Sequence, residues 1–311
     1  MDLGVQIEPQ FGFSYEQIRD IARASHAAGF TRLWVSDHLL LNKDAVATDC
    51  LEAWTVLAGL ARDTEGIRIG PMVSCQSYRN PAVLAKIAAS VDRMSGGRLE
   101  FGVGAGWKQV EYEQYGYEYP EDGVRVTQLV ETLEICTRLW REERATYTGK
   151  HYRVENAVAS PKPAQTPLPV WIGGSKPRVM RIAAKYAQWF NMTILPGTLE
   201  DRARQLNDGL RDACASVGRD PKTLRRSMFV QAFVGKTRRD VDALVDEMAR
   251  RQNTTREQWL AARPGAIVGT ADEAAARFAV LAKAGIDHAN VMLPYGHELE
   301  HVSVLSEVAR A

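Results

Sequence analysis

The chemistry in this chain sits in short runs where polar or glycine residues directly follow apolar ones. Asp37-His38 ends the run Leu33-Trp34-Val35-Ser36 and sets an imidazole beside a carboxylate, which can hold the ring's tautomer or support its protonated form. That pair suits a proton relay beside a redox cofactor, or a histidine that merely caps the next loop. Gly102-Val103-Gly104-Ala105-Gly106-Trp107 alternates glycines before an indole, a loss of side chains that a ligand or a close backbone contact would reward. The dinucleotide fingerprint needs a third glycine where Trp107 stands, so the reading here is a binding loop for another ligand or a tight strand-to-helix turn. Gly173-Gly174-Ser175, just ahead of Lys176-Pro177, offers backbone N–H groups, a hydroxyl and the positive end of a helix dipole, as phosphate recognition requires; a plain helix start is the alternative. Met72-Val73-Ser74-Cys75 is a fourth such strand end. His297-Glu298-Leu299-Glu300-His301 has the spacing of a zinc hydrolase, yet Glu307 stands too close to serve readily as third ligand, so no metal site is expected.

Positioning these runs falls to an alternation of strands and helices. Strands are expected at Leu3 to Ile7, Leu33 to Val35, Ile67 to Ser74, Leu99 to Gly104, Val170 to Ile172, Phe190 to Leu195, Arg226 to Val234 and Ala289 to Leu293. Between them, Ser14-Tyr15-Glu16-Gln17 reads as a capping box opening a helix that Gly29 ends, and further helices are expected at about Leu51 to Arg62, from Pro81, at Val124 to Trp140, Arg178 to Ala187, Leu199 to Val217, Arg239 to Arg251 and Ala271 to Ala284. Eight strands joined by helical crossovers predict a (β/α)8 TIM barrel, residues 1–311 as one domain, with insertions at about 142–168 and 252–266. An open doubly wound sheet would predict a composition break, and none is seen. In a barrel the four unusual strand ends meet at the C-terminal mouth. Trp54, Trp107, Tyr112 and Tyr152 could wall a pocket there, or Trp54 could be core and the tyrosines surface.

Composition limits the partners. Thirty-nine basic against thirty-eight acidic side chains leave a net charge of +1 with no block of one sign, which argues against nucleic acid and membrane surfaces. Cys50, Cys75, Cys136 and Cys214 are scattered, with no C-x-x-C pair, and suggest reduced thiols in a cytoplasmic protein. No leader and no membrane span is expected from the opening residues or from any apolar run.

Several segments together resemble the luciferase-like flavin and deazaflavin oxidoreductases, in particular their coenzyme F420-dependent branch. They are Trp34-Val35-Ser36-Asp37-His38-Leu39, Leu51-Glu52-Ala53-Trp54-Thr55, Tyr78-Arg79-Asn80-Pro81, Asp92-Arg93-Met94-Ser95-Gly96-Gly97-Arg98, Gly104-Ala105-Gly106-Trp107, Ser160-Pro161-Lys162-Pro163 and Trp171-Ile172-Gly173-Gly174, with Val268-Gly269-Thr270 later in the chain. The resemblance implies a hydride-transferring enzyme acting on a small organic substrate, with His38 and Asp37 as catalytic residues. It implies a ring bordered by Val73, Ser74, Cys75, Ala105, Gly106 and Trp107, and a phosphate held by Gly173, Gly174 and Ser175. It also implies a non-prolyl cis peptide between Met72 and Val73, and a possible homodimer. FMN-using members tend to carry Glu-His-His where this chain has Asp37-His38-Leu39, which favours F420, with an FMN-dependent monooxygenase as the alternative. A zinc hydrolase on His297 and His301 and a catalytically silent cofactor binder are more remote. Sugar-phosphate dehydrogenases of the family place a glutamate where Trp107 stands, so the substrate is left open.

Overall fold

The computed structural model describes residues 1–193 and 195–311. Its frame is a ring of parallel strands whose members are buried on both faces, which is why they read as apolar runs. In chain order these are β1 (Asp2–Ile7), β2 (Arg32–Val35), β3 (Arg68–Pro71), β4 (Ser74–Cys75) and β5 (Phe101–Gly104). A hairpin, β6 (Ala145–Thr148) and β7 (Arg153–Ala157), stands outside the ring and is followed by β8 (Val170–Gly174), β9 (Trp189–Met192), β10 (Arg225–Gly235), β11 (Ile267–Thr270) and β12 (His288–Met292).

Neighbours run β3-β2-β1-β12-β10-β9-β8-β5-β4, and β11 pairs only with the far end of β10. β3 and β4 are one strand interrupted by Met72-Val73, whose peptide bond is cis. The first half pairs with β2 and the second with β5, so the interrupted strand closes the ring, helped by a bridge from Ile69 to Leu99. Counted that way, the chain forms the expected eight-stranded TIM barrel.

Local chemistry sets the helix ends much as the residues suggest. Ser14 and Gln17 form the capping box of the helix Tyr15–Ala28, and Gly29 ends it at φ 99°. Asn80 caps the helix Pro81–Met94, accepting from the Ala82 N–H. Three expectations shift. The strand foreseen at Phe190 to Leu195 is Trp189–Met192, and Ile194 lies outside the described residues. The stretch 252–266 holds the short helix Arg256–Ala261, whose Trp259 packs on Phe233. A helix at Gln109–Tyr115, directly after the glycine loop, was not foreseen.

Inside the ring, Trp171 stacks on Trp189 at 4.2 Å between centroids, Trp34 meets Trp171 edge-on at 4.6 Å, and His288 lies against all three. Burial holds His288 well below the ordinary histidine pKa, so it is a neutral core residue. The Trp171 indole donates to Glu100 at 2.7 Å, and Arg32 donates to the same carboxylate. Met72 and Val73 rest on this aromatic plug. A barrel filled this way can receive a ligand only above the plug, at its C-terminal mouth.

Candidate functional site

The cavity at that mouth measures about 700 Å³, within the range of small-molecule and cofactor sites. Its floor follows from the glycines. A side chain added at Gly104 would come within 2.7 Å of Val73 Cγ2, and one at Gly173 within 2.9 Å of Val73 Cγ1. The bare backbones of β5 and β8 thus let Val73 lie flush between them. A Cβ at Gly102 would collide with the Pro71 carbonyl at 1.9 Å, so the same economy admits the bend before β4.

Ten of the eleven residues expected at the site line this cavity: Asp37, His38, Val73, Cys75, Ala105, Gly106, Trp107, Gly173, Gly174 and Ser175. The eleventh, Ser74, is fully buried behind it, donating to Asp37 at 2.9 Å and accepting from the Trp54 indole at 3.0 Å. Trp54 is therefore core. Tyr112 is also fully buried; its hydroxyl donates to Ser77 Oγ at 3.1 Å and lies 3.1 Å from Cys75 Sγ. Burial pushes the Cys75 thiol up to about 11, so it stays protonated at neutral pH. Tyr152 is half-buried, with its hydroxyl on Gln76.

The expected pairing of Asp37 with His38 is corrected. Asp37 receives Arg79 through both guanidinium branches, at 2.7 and 2.9 Å, together with the Cys75 N–H at 3.0 Å and the Ser74 hydroxyl. Four donors saturate it, and Arg79 also bonds Glu52. Asp37 therefore ties the end of β2 to β4, and a carboxylate so engaged is no relay.

His38 has a different carboxylate. Its Nδ1 lies 3.0 and 3.1 Å from the two oxygens of Glu111, which also accepts from the Tyr78 hydroxyl at 2.6 Å and the Leu39 N–H at 2.8 Å. Glu111 has no exposed side-chain surface and can only accept, so it selects the Nδ1–H tautomer and leaves Nε2 without a partner among the described residues. Burial alone would raise the Glu111 carboxyl, but the hydrogen bond and charge of His38, with Tyr78 and Leu39, bring it down to about 2. Glu111 lies on the unforeseen helix, four residues beyond Trp107, where nothing short of a fold shows that it turns back to the loop after β2. Trp107 stands edge-on to His38 at 5.7 Å and is 70% exposed.

The Glu111 shift has a pH consequence. Its folded-state value is depressed from the ordinary 4.5 to about 2, so the stability it contributes is complete above pH 4.5 and lost as pH falls towards 2. Denaturant titrations across that window are expected to show a shallower loss in Glu111→Gln than in the native chain. Equal slopes would show that Glu111 is not held ionised.

The zinc spacing forms no site. The His301 Nδ1 lies 2.8 Å from the His297 carbonyl and takes the role of donor, while the Glu298 carboxylate accepts from the Gly296 N–H. Among the described residues no three His, Cys, Asp or Glu side chains are grouped to hold a metal ion. No described helix is long and apolar enough to cross a membrane, and the four cysteines are unpaired.

Residues 1–288 match the family model described as luciferase-like monooxygenase. Pyrimidine monooxygenase RutA of Bradyrhizobium sp. (strain BTAi1 / ATCC BAA-1182) is 31% identical over 248 residues, covering 71% of this chain and 68% of the relative. The F420-dependent glucose-6-phosphate dehydrogenase of Nakamurella multipartita is also 31% identical, over 68% of this chain and 60% of its own length. The chain thus spans about three fifths to two thirds of these relatives. Among solved structures, an F420-dependent secondary alcohol dehydrogenase in complex with an F420-acetone adduct superposes with a TM-score of 0.83 at 19% identity, covering 100% of this chain and 99% of that one. At that identity the likeness concerns the fold.

Proposed function

The chain belongs to the luciferase-like monooxygenase family, whose members are oxidoreductases, and on that premise we propose that it depends on coenzyme F420 and exchanges hydride with a small organic substrate. The observation that carries the reading is the flush floor: Val73 between two bare glycines, beneath a cavity with a carboxylate-anchored imidazole at its edge.

That floor fits a flat ring. Val73, Cys75, Ala105 and Gly106 would border it, with Trp107 alongside. Gly173, Gly174 and Ser175 would receive a phosphate, where Lys176 precedes the helix Pro177–Tyr186 with no acidic residue in its first turn. When bound, a deazaflavin supplies hydride at one carbon and reacts poorly with oxygen. The rest is the work of this chain. His38 holds or delivers a proton at Nε2, Glu111 keeps Nδ1 protonated, and the aromatic plug with the glycine floor keeps water from below. Asp37 and Ser74 support the bend that carries Val73.

Asp37-His38-Leu39 in place of Glu-His-His supports F420, as does the F420-dependent dehydrogenase among the relatives. A second reading, an FMN-dependent monooxygenase, is favoured by the likeness to the pyrimidine monooxygenase. Fluorescence titration with each coenzyme separates them. F420 is expected to bind; tight FMN binding with a yellow spectrum and substrate-dependent oxygen uptake would overturn the proposal. In the same titration Gly174→Asp is expected to weaken F420 by about a hundredfold through repulsion of its phosphate. Gly174→Ala supplies the control for crowding, since its Cβ would lie 3.0 Å from Val179 Cγ1. Equal losses in both variants would remove the phosphate from this end of the cavity.

A further inference from the structure

We propose that the substrate is uncharged, a small ketone, aldehyde or alcohol with an apolar body, and that phosphorylated substrates are turned away; this rests on the oxidoreductase reading and adds its substrate class. The argument starts from the charges on the loops that carry His38, Trp107 and Glu111. Two cations line the cavity there, Lys108 and Arg125, and both are committed. The Lys108 ammonium lies 3.2 Å from the Glu111 carboxylate and donates to the Leu40 carbonyl. Arg125 donates to Gly106 O at 3.3 Å, to Pro120 O and to Asp122, with its guanidinium 4.0 Å over the Tyr119 ring. Lys108 cannot turn to an incoming anion without leaving the fully buried Glu111 carboxylate behind, and Arg125, whose side chain is only 5% exposed, is held by two backbone carbonyls and the Tyr119 ring besides the exposed Asp122.

Arg79 is further in and is taken up by Asp37 and Glu52. Nearest His38, then, the Glu111 carboxylate and the Lys108 ammonium answer each other, and no unmatched positive charge is left there for a phosphate. The exception is Lys176, which is exposed and has no carboxylate partner among the described residues. It stands beyond β8, where the cofactor's own phosphate is placed.

Apolar surface completes the case. Trp107 is 70% exposed at the cavity although its edge meets His38, and Tyr119 and the half-buried Val126 line the same side. An indole left open beside an imidazole is area that an apolar substrate would cover with net gain. One relative is named for a sugar phosphate, and the charges here speak against that substrate in this chain.

Calorimetric titration of the protein loaded with oxidised F420 tests this directly, with acetophenone and glucose 6-phosphate as probes. Acetophenone is expected to bind at least about a hundredfold more tightly. Trp107→Ala is expected to weaken acetophenone by about tenfold without admitting the sugar phosphate. Comparable or tighter binding of glucose 6-phosphate, binding of neither probe, or acetophenone binding indifferent to Trp107→Ala would each overturn the substrate class. Failure of F420 to load is a separate result that removes the cofactor reading, and the same titrations on FMN-loaded protein then decide the substrate class.

Discussion

Replacing His38 with alanine is expected to lower kcat by about 10²- to 10⁴-fold while leaving coenzyme affinity unchanged. Hydrogen-bonded through Nδ1 to Glu111, the imidazole stands roughly perpendicular to the Trp107 ring at 5.7 Å between centroids. It takes no part in the floor that Val73 makes with Gly104 and Gly173, so the coenzyme should not register its loss. Single-turnover absorbance measures the chemical step and fluorescence titration the binding. A His38→Ala enzyme with native kcat would remove the proton role, whereas one that loses affinity instead would make His38 a cofactor contact. Glu111→Gln belongs to the same test. With the carboxylate gone the ring keeps a neighbour of equal size, but one that can donate as well as accept and so no longer selects the tautomer, and supporting residues of this kind typically carry about ten- to a hundredfold of activity. A Glu111→Gln enzyme as slow as His38→Ala would mean that Glu111 does more than orient the ring.

The other large effect is expected at Gly106. Its φ of +81° is strained for any side chain, and a Cβ there would meet the Tyr112 hydroxyl at 2.0 Å and Cys75 Sγ at 2.7 Å. Both neighbours are buried and hydrogen-bonded to each other, so neither can yield without opening the wall of the cavity. Gly106→Ala should therefore destabilise the fold by about 2–4 kcal/mol, combining backbone strain with overpacking, and impair coenzyme binding as the loop moves. Gly116→Ala isolates the backbone part, because Gly116 has φ +74° with nothing within 4 Å of its Cβ. Its cost should be about 1 kcal/mol. Adding Tyr112→Phe to Gly106→Ala removes the closest atom and should restore part of the difference in denaturant unfolding, read as a double-mutant cycle. Equal losses at Gly106 and Gly116 would show that the loop has room to spare.

Much of this architecture was legible along the chain. Strands buried on both faces must be apolar along their whole length, and crossovers long enough to be helical force them parallel, so the barrel and the order of its strand ends follow from local pattern. Capping chemistry is equally local, as Ser14, Gly29 and Asn80 show. The glycine loops announced a close approach, though not its object. In the folded protein Gly104 and Gly173 make room for Val73, and Gly106 for Tyr112, before any ligand is considered.

What the chain order could not convey is which carboxylate meets which base. Asp37 and His38 are adjacent in sequence, and adjacency suggested a pair. Beyond the end of β2, however, the two side chains find separate partners, and Asp37 reaches Arg79 while His38 meets Glu111, seventy-three residues away. By itself the sequence determined the barrel, the mouth at which its unusual loops gather, and the residue types available there. Only the tertiary structure decided the partners of those charges, because ion pairs and hydrogen bonds act over a few ångströms of space and are blind to distance along the chain.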